Sequence, residues 1–151
     1  AQARQRLELP TPRVALGLAL RGIASAAADV SDGLLGDLGH ILTQSRVGTT
    51  IDTEVATTLI AACAYFTGAS STFDAKNSRR TLLQCVLAGG DDYELVFTAD
   101  PALRGAVQAA AAASAVAVTR IGRIDSTPGV RLVDANGAPV ENPFASFTHF
   151  S

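Results

Sequence analysis

Asp29-Val30-Ser31-Asp32-Gly33-Leu34 is the stretch from which the rest of the chain is read. It sets two carboxylates and a hydroxyl between a small-residue apolar segment, Ala24 to Val30, and a run in which Leu34, Leu35, Leu38, Ile41 and Leu42 recur at helical spacing. That order predicts a strand, a turn and an amphipathic helix, with Asp37 and His40 nearer the edge of the helix's apolar face. Gly33 supplies the dihedral freedom such a turn needs. The amides that open the helix lack intrahelical partners, and with the positive end of the macrodipole they favour an anion. Two acids on the same turn suit Mg2+, which takes one or two carboxylates, keeps several waters and completes its shell with substrate phosphate oxygens. A plainer alternative is that Ser31 or Asp32 only caps the helix, a common use of both residues.

A second acidic turn, Gly89-Gly90-Asp91-Asp92-Tyr93-Glu94-Leu95, leads into the strand-like Val96-Phe97-Thr98. Its glycines allow a sharp turn or a close approach to a ligand. Alternation through Tyr93, Leu95 and Phe97 predicts a half-buried strand with Glu94 on the other face. Seen alone, this is a hairpin corner carrying solvated acids. Together, the two turns gather more negative charge than a folded site holds without a cation, since like charges disfavour one another's ionised forms.

Composition excludes more than it identifies. The chain has 151 residues, 48% of them hydrophobic, and a net charge of -2, enough for one sizeable core and no support for nucleic acid or an anionic membrane as partner. No run reaches the roughly 18 to 20 apolar residues of a transmembrane helix. The start, Ala1-Gln2-Ala3-Arg4-Gln5-Arg6, lacks a signal-peptide core, so a cytoplasmic location is expected. Cys63 and Cys85 have no C-x-x-C or histidine at ligand spacing and read as free thiols buried in the core.

Along the remaining chain, Thr11-Pro12 resembles a cap and first helical position for a helix through about Ile23, after a linker or tail of residues 1–11. Val47 to Asp52 suggests a strand; Glu54 to Phe66 and Arg79 to Leu87 suggest helices, the Arg79-Arg80 pair lying on a solvated surface. Gly68 to Arg80 reads as a divergent loop. Pro101 to Ala115 predicts an alanine-rich helix capped by Asp100, followed by strands at Val116 to Ile124 and Gly129 to Val133. Asn136-Gly137 signals a hairpin between Leu132 and Val140. Phe147 and Phe150 bracket His149 at an end that would otherwise fray. The alternation implies an α/β (α+β) sandwich in which helices cover a mixed sheet. His40, a lone histidine on an amphipathic helix, reads as structural.

These stretches carry a family resemblance. Pro12-Arg13-Val14, the long run from Ala27 to Ile41, Gly89 to Phe97, Ile121-Gly122-Arg123-Ile124 and Phe147-Thr148-His149-Phe150 resemble, in order, the C-terminal domain of the thiamine-monophosphate kinase family, within the aminoimidazole ribonucleotide synthetase-like superfamily. The resemblance covers nearly the whole chain, and the D-x-S-D-G-L-x-x-D-L-G-H-I run is its most specific part. It implies that residues 12–151 form that domain, and that Asp29 and Asp32 ligate Mg2+. It also implies that Ser31 contacts the phosphates of ATP, and that Asp91 and Phe147 contact thiamine monophosphate. Many members carry glutamate where this chain has Asp91, so its contact would be longer or bridged by water. The implied reaction passes the γ-phosphoryl group of ATP to thiamine monophosphate, giving thiamine diphosphate, with no residue assigned as acid or base. The resemblance further implies a preceding nucleotide- and metal-binding domain, a homodimer formed mainly through that domain, and little turnover by residues 1–151 alone. Two other readings remain open: a related ATP-dependent enzyme of the superfamily, or a non-catalytic binding module on the same fold.

Overall fold

Ala24 to Val30 does form a strand, and its partner is the strand that follows the second acidic turn, not a neighbour in sequence. The computed structural model describes residues 11–59, 75–89 and 94–141. In chain order its elements are α1 (Val14–Ala19), β1 (Ala24–Val30), α2 (Leu34–Ser45), β2 (Gly48–Asp52) and α3 (Thr53–Thr57). Then come α4 (Ala75–Ala88), β3 (Glu94–Ala99), a 3-10 turn (Pro101–Leu103), α5 (Arg104–Ser114), β4 (Gly122–Asp125), β5 (Gly129–Val133) and β6 (Pro139–Val140).

The strands make two sheets. β1 and β3 pair antiparallel, with Val30 opposite Glu94, Asp29 opposite Leu95 and a register shift between Ala24 and Ala26. The other sheet has the order β4-β2-β5-β6, with β2 and β5 parallel and the outer pairings antiparallel. It is therefore a mixed sheet, as expected.

The β1–β3 sheet is apolar on both faces. Val30 and Val96 join Leu34, Leu35, Leu38 and Leu42 of α2, Leu83, Val86 and Leu87 of α4, and Ile51 and Leu132 of the four-stranded sheet in the larger core. Helices α2 and α4 thus share one core with both sheets. Leu95 and Phe97 face the other way, onto Leu16 of α1, Leu20 just past its end, and Val107 and Ala110 of α5. The shift at Ser25 lets Ala24 serve this second cluster while Ala28 packs on the first. No described helix is long and apolar enough to cross a membrane.

Several boundaries differ from those the sequence suggests. The first helix is shorter, because Arg13, not Thr11, stands at its N-cap with non-helical dihedrals, and Gly22 takes a φ of 76° just beyond its end. The helix expected from Glu54 starts one residue earlier, where Oδ1 of Asp52 accepts the amides of Glu54 at 2.9 Å and Val55 at 3.1 Å. It ends at Thr57, and the rest of the expected span, 60–66, lies outside the described residues. Part of the expected divergent loop is helical, since α4 already begins at Ala75. The strand expected from Val116 begins only at Gly122. Val116 and Val118 pack on the second cluster without joining a ladder, because β2 pairs β4 only from Gly48 to Ile51. Oδ1 of Asp100 caps the 3-10 turn by accepting the Ala102 amide at 2.8 Å, and the alanine-rich helix follows. The Asn136-Gly137 hairpin forms, with Leu132 opposite Val140 and Asp134 Oδ1 accepting the amides of Asn136 and Ala138.

Candidate functional site

The turn that joins β1 to α2 leaves its chemistry in the open. Val30 is buried, whereas Asp29, Ser31 and Asp32 are exposed. The N-cap of α2 is Gly33, with φ 101° and ψ 150°, and no side chain caps the helix. Capping therefore does not explain Ser31 or Asp32, and among the described residues no side-chain oxygen accepts from the first amides of α2.

Asp37 orders this turn. Its carboxylate oxygen Oδ2 accepts the backbone amide of Ser31 at 2.9 Å and that of Asp32 at 3.0 Å. The residue is 7% exposed and belongs to the buried face of α2, not to its edge. His40 is exposed on the same helix.

Gly33 brings the two acidic stretches together. A Cβ there would stand 3.0 Å from the carbonyl carbon of Ala88 and 3.1 Å from the oxygen of Gly89, the residues that lead into the second turn. The β1–β3 register agrees, placing Glu94 beside Val30 where the second turn enters its strand. Asp91 itself, like Phe147, lies outside the described residues.

Glu94 is engaged by Arg13, through Nε to Oε2 at 2.8 Å and Nη2 to Oε1 at 2.7 Å. These two hydrogen bonds raise the Arg13 pKa further, outweighing the partial loss of hydration, and the opposite charge of Glu94 adds to the effect. Arg13, to which the sequence assigns no role, thus ties the start of α1 to the strand that leaves the second turn.

Other conspicuous groups fall elsewhere. Arg79 pairs with Glu54, and Arg79 and Arg80 are both exposed. Cys85 is a free thiol but exposed, contrary to the expected burial; Leu82, Leu83, Val86 and Leu87 take the inner face of α4. Cys63 lies outside the described residues. An open depression of about 590 Å³ on the four-stranded sheet includes Thr50, Arg123, Asp125 and Arg131 in its lining. Its cations are committed to a carboxylate, since Asp125 accepts from Thr50 Oγ1 at 2.6 Å, Arg131 Nη2 at 3.0 Å and Arg123 Nε at 3.3 Å. That network, led by the Thr50 hydrogen bond, holds the Asp125 carboxyl down at about 2.

Among the described residues, no group of three or more histidine, cysteine, aspartate or glutamate side chains could hold a metal ion. The donors at the β1–α2 turn are therefore two exposed carboxylates. That set fits a cation such as Mg2+, which takes its remaining ligands from water and phosphate.

Residues 2–135 match the family described as AIR synthase related protein, C-terminal domain. The chain is 36% identical to the thiamine-monophosphate kinase of Salmonella typhimurium over 148 residues, 97% of this chain and 42% of that protein. A crystal structure of thiamine-monophosphate kinase from Stenotrophomonas maltophilia superposes with a TM-score of 0.66 at 41% identity, over 85% of this chain and 37% of that one. AaThiL, solved in complex with AMPPCP and TMP, superposes with a TM-score of 0.57 at 25% identity, over 91% of this chain and 38% of its own. The chain thus spans about two fifths of the length of the curated relatives it matches. It belongs to the family of AIR synthase related proteins, as their C-terminal domain.

Proposed function

We propose that this chain is the C-terminal part of a thiamine-monophosphate kinase, and that its two acidic turns handle Mg2+ and phosphate in the transfer of the ATP γ-phosphoryl group to thiamine monophosphate. The observation that supports this reading is the contact of Gly33 with Ala88 and Gly89, together with Glu94 opposite Val30, which brings the described ends of the second stretch beside the first turn. The relatives' names supply the reaction, and the AMPPCP and TMP bound to AaThiL supply its two substrates.

In this proposal Asp29 and Asp32 hold Mg2+, and Ser31 donates a hydrogen bond to an ATP phosphate. Asp91 contacts thiamine monophosphate, and Phe147 lines the pocket for its aromatic part. The bound cation supplies charge neutralisation among crowded phosphate oxygens. The attacking group is a phosphate oxygen, already ionised near neutral pH, so no side chain has to remove a proton. Catalysis then rests on alignment and electrostatics, and exposed His40 is not required. The intact protein, in which a preceding domain completes the nucleotide site, is proposed to be a cytoplasmic homodimer paired mainly through that domain.

The test is ATP-dependent formation of thiamine diphosphate by this chain joined to its native preceding sequence, with the Asp29→Asn form assayed beside it. Product that requires Mg2+ and falls by orders of magnitude in the variant supports the proposal. A folded protein that makes no product overturns it in favour of another phosphate-handling reaction or a binding module.

A further inference from the structure

We infer that Asp37 is a positioning residue that fixes the Ser31–Asp32 backbone and thereby sets how tightly the β1–α2 turn holds its cation. The inference rests on the function proposed above. Asp37 is an acid on the face of α2 that otherwise buries Leu34, Leu35, Leu38 and Leu42. Placing a carboxylate there is costly unless it is hydrogen-bonded, and an apolar residue of similar size would pack at that position without this requirement.

What the acid does there is visible in its contacts. One oxygen, Oδ2, receives two consecutive amides, those of Ser31 and Asp32, at 2.9 and 3.0 Å. Its own backbone amide donates to the Gly33 carbonyl at 3.1 Å, so the side chain is anchored to the first turn of the helix that it serves. The direction of the Asp32 side chain follows from the orientation of that backbone, while Asp29 is held on β1 by its pairing with β3. Asp37 therefore fixes the backbone that carries Asp32 relative to the strand that carries Asp29. The partly exposed amides of Ser31 and Asp32 are spent on Asp37, which leaves the exposed carboxylates and the Ser31 hydroxyl as the groups the turn presents. Groups that orient ligands from behind in this way typically govern metal affinity by about 10- to 100-fold.

The experiment uses the intact protein with Mn2+ as the probe, free Mn2+ being counted by electron paramagnetic resonance in the presence of AMPPCP. Asp37→Ala, which removes the acceptor, is expected to weaken Mn2+ binding at least about tenfold. Asp37→Asn keeps an oxygen at that place and is expected to restore most of the loss. A purely structural role would lower thermal stability in both variants without this split in affinity. Amide hydrogen exchange on the wild-type protein decides the geometry independently of any variant: the Ser31 and Asp32 amides are expected to be protected although their side chains are exposed. Rapid exchange at both amides, or a folded Asp37→Ala protein with wild-type Mn2+ affinity, overturns the inference. If the wild-type protein binds no Mn2+ with nucleotide, the proposed function fails instead, and protection of the two amides still decides the role of Asp37.

Discussion

Gly33 and Ala88 approach so closely that a Cβ on Gly33 would stand 3.0 Å from the Ala88 carbonyl carbon. The glycine also has φ 101° and ψ 150°, a region open essentially to glycine alone. Space and dihedral angles both exclude a side chain at the point where the two acidic stretches meet. Gly33→Ala is expected to cost about 1–3 kcal/mol of stability, read by urea unfolding, and to reduce the proposed kinase activity of the intact protein by more than unfolding alone accounts for. A variant as stable and active as the parent would show that the contact is dispensable.

The Arg13–Glu94 pair makes a second, separable prediction. Its side chains are 25% and 38% exposed, so solvent screens the attraction and the coupling energy in a double-mutant cycle is expected to be about 1 kcal/mol or less. Arg13→Lys is expected to recover little of it, because a lysine cannot reproduce the two-pronged contact. Coupling indistinguishable from zero would show that the pair has no part in holding the start of α1 to β3.

Asp125 gives the pH dependence. Its carboxyl is held at about 2 against an ordinary 3.8, first by Thr50 and then by Arg131. A depressed carboxyl contributes stability that is fully present above about pH 4 and is lost as the pH falls through about 2. Asp125→Asn is therefore expected to be less stable than the parent at neutral pH, with the gap closing between about pH 4 and pH 2. A gap that stays constant across this range in acid-unfolding curves would contradict that assignment.

Much of this arrangement was legible in residue order. The strand at Ala24–Val30, the helix at Leu34–Ser45 and the strand at Gly129–Val133 follow from apolar spacing and the glycine and acid punctuation between them. Charge alone suggests that the two acidic turns meet; the packing of Gly33 on Ala88 and Gly89 brings the lead-in of the second turn to the first, while Asp91 and Asp92 lie outside the described residues. Asp37 was misplaced although its spacing carried the signal: three residues after Leu34 and one before Leu38, it falls on the apolar face by helical phase. Cys85 shows the same lesson, since Leu82, Leu83, Val86 and Leu87 leave it on the outer side of α4. Other features left no periodic trace. The bond from Asp37 to two amides and the pair linking Arg13 to Glu94 depend on side-chain contacts that hydrophobic periodicity does not encode. The apolar alternation at Val116 and Val118 predicts a strand, but among the described residues they pack, partly buried, on the second cluster without joining a ladder.

The most direct test of the central claim is a crystal structure of the intact protein with Mg2+ and AMPPCP. The expected result is a cation about 2.0–2.1 Å from carboxylate oxygens of Asp29 and Asp32, bridging them to nucleotide phosphate oxygens with the Ser31 hydroxyl within hydrogen-bonding distance. A nucleotide bound with its cations elsewhere, and with Asp29 and Asp32 both turned to solvent, would contradict it.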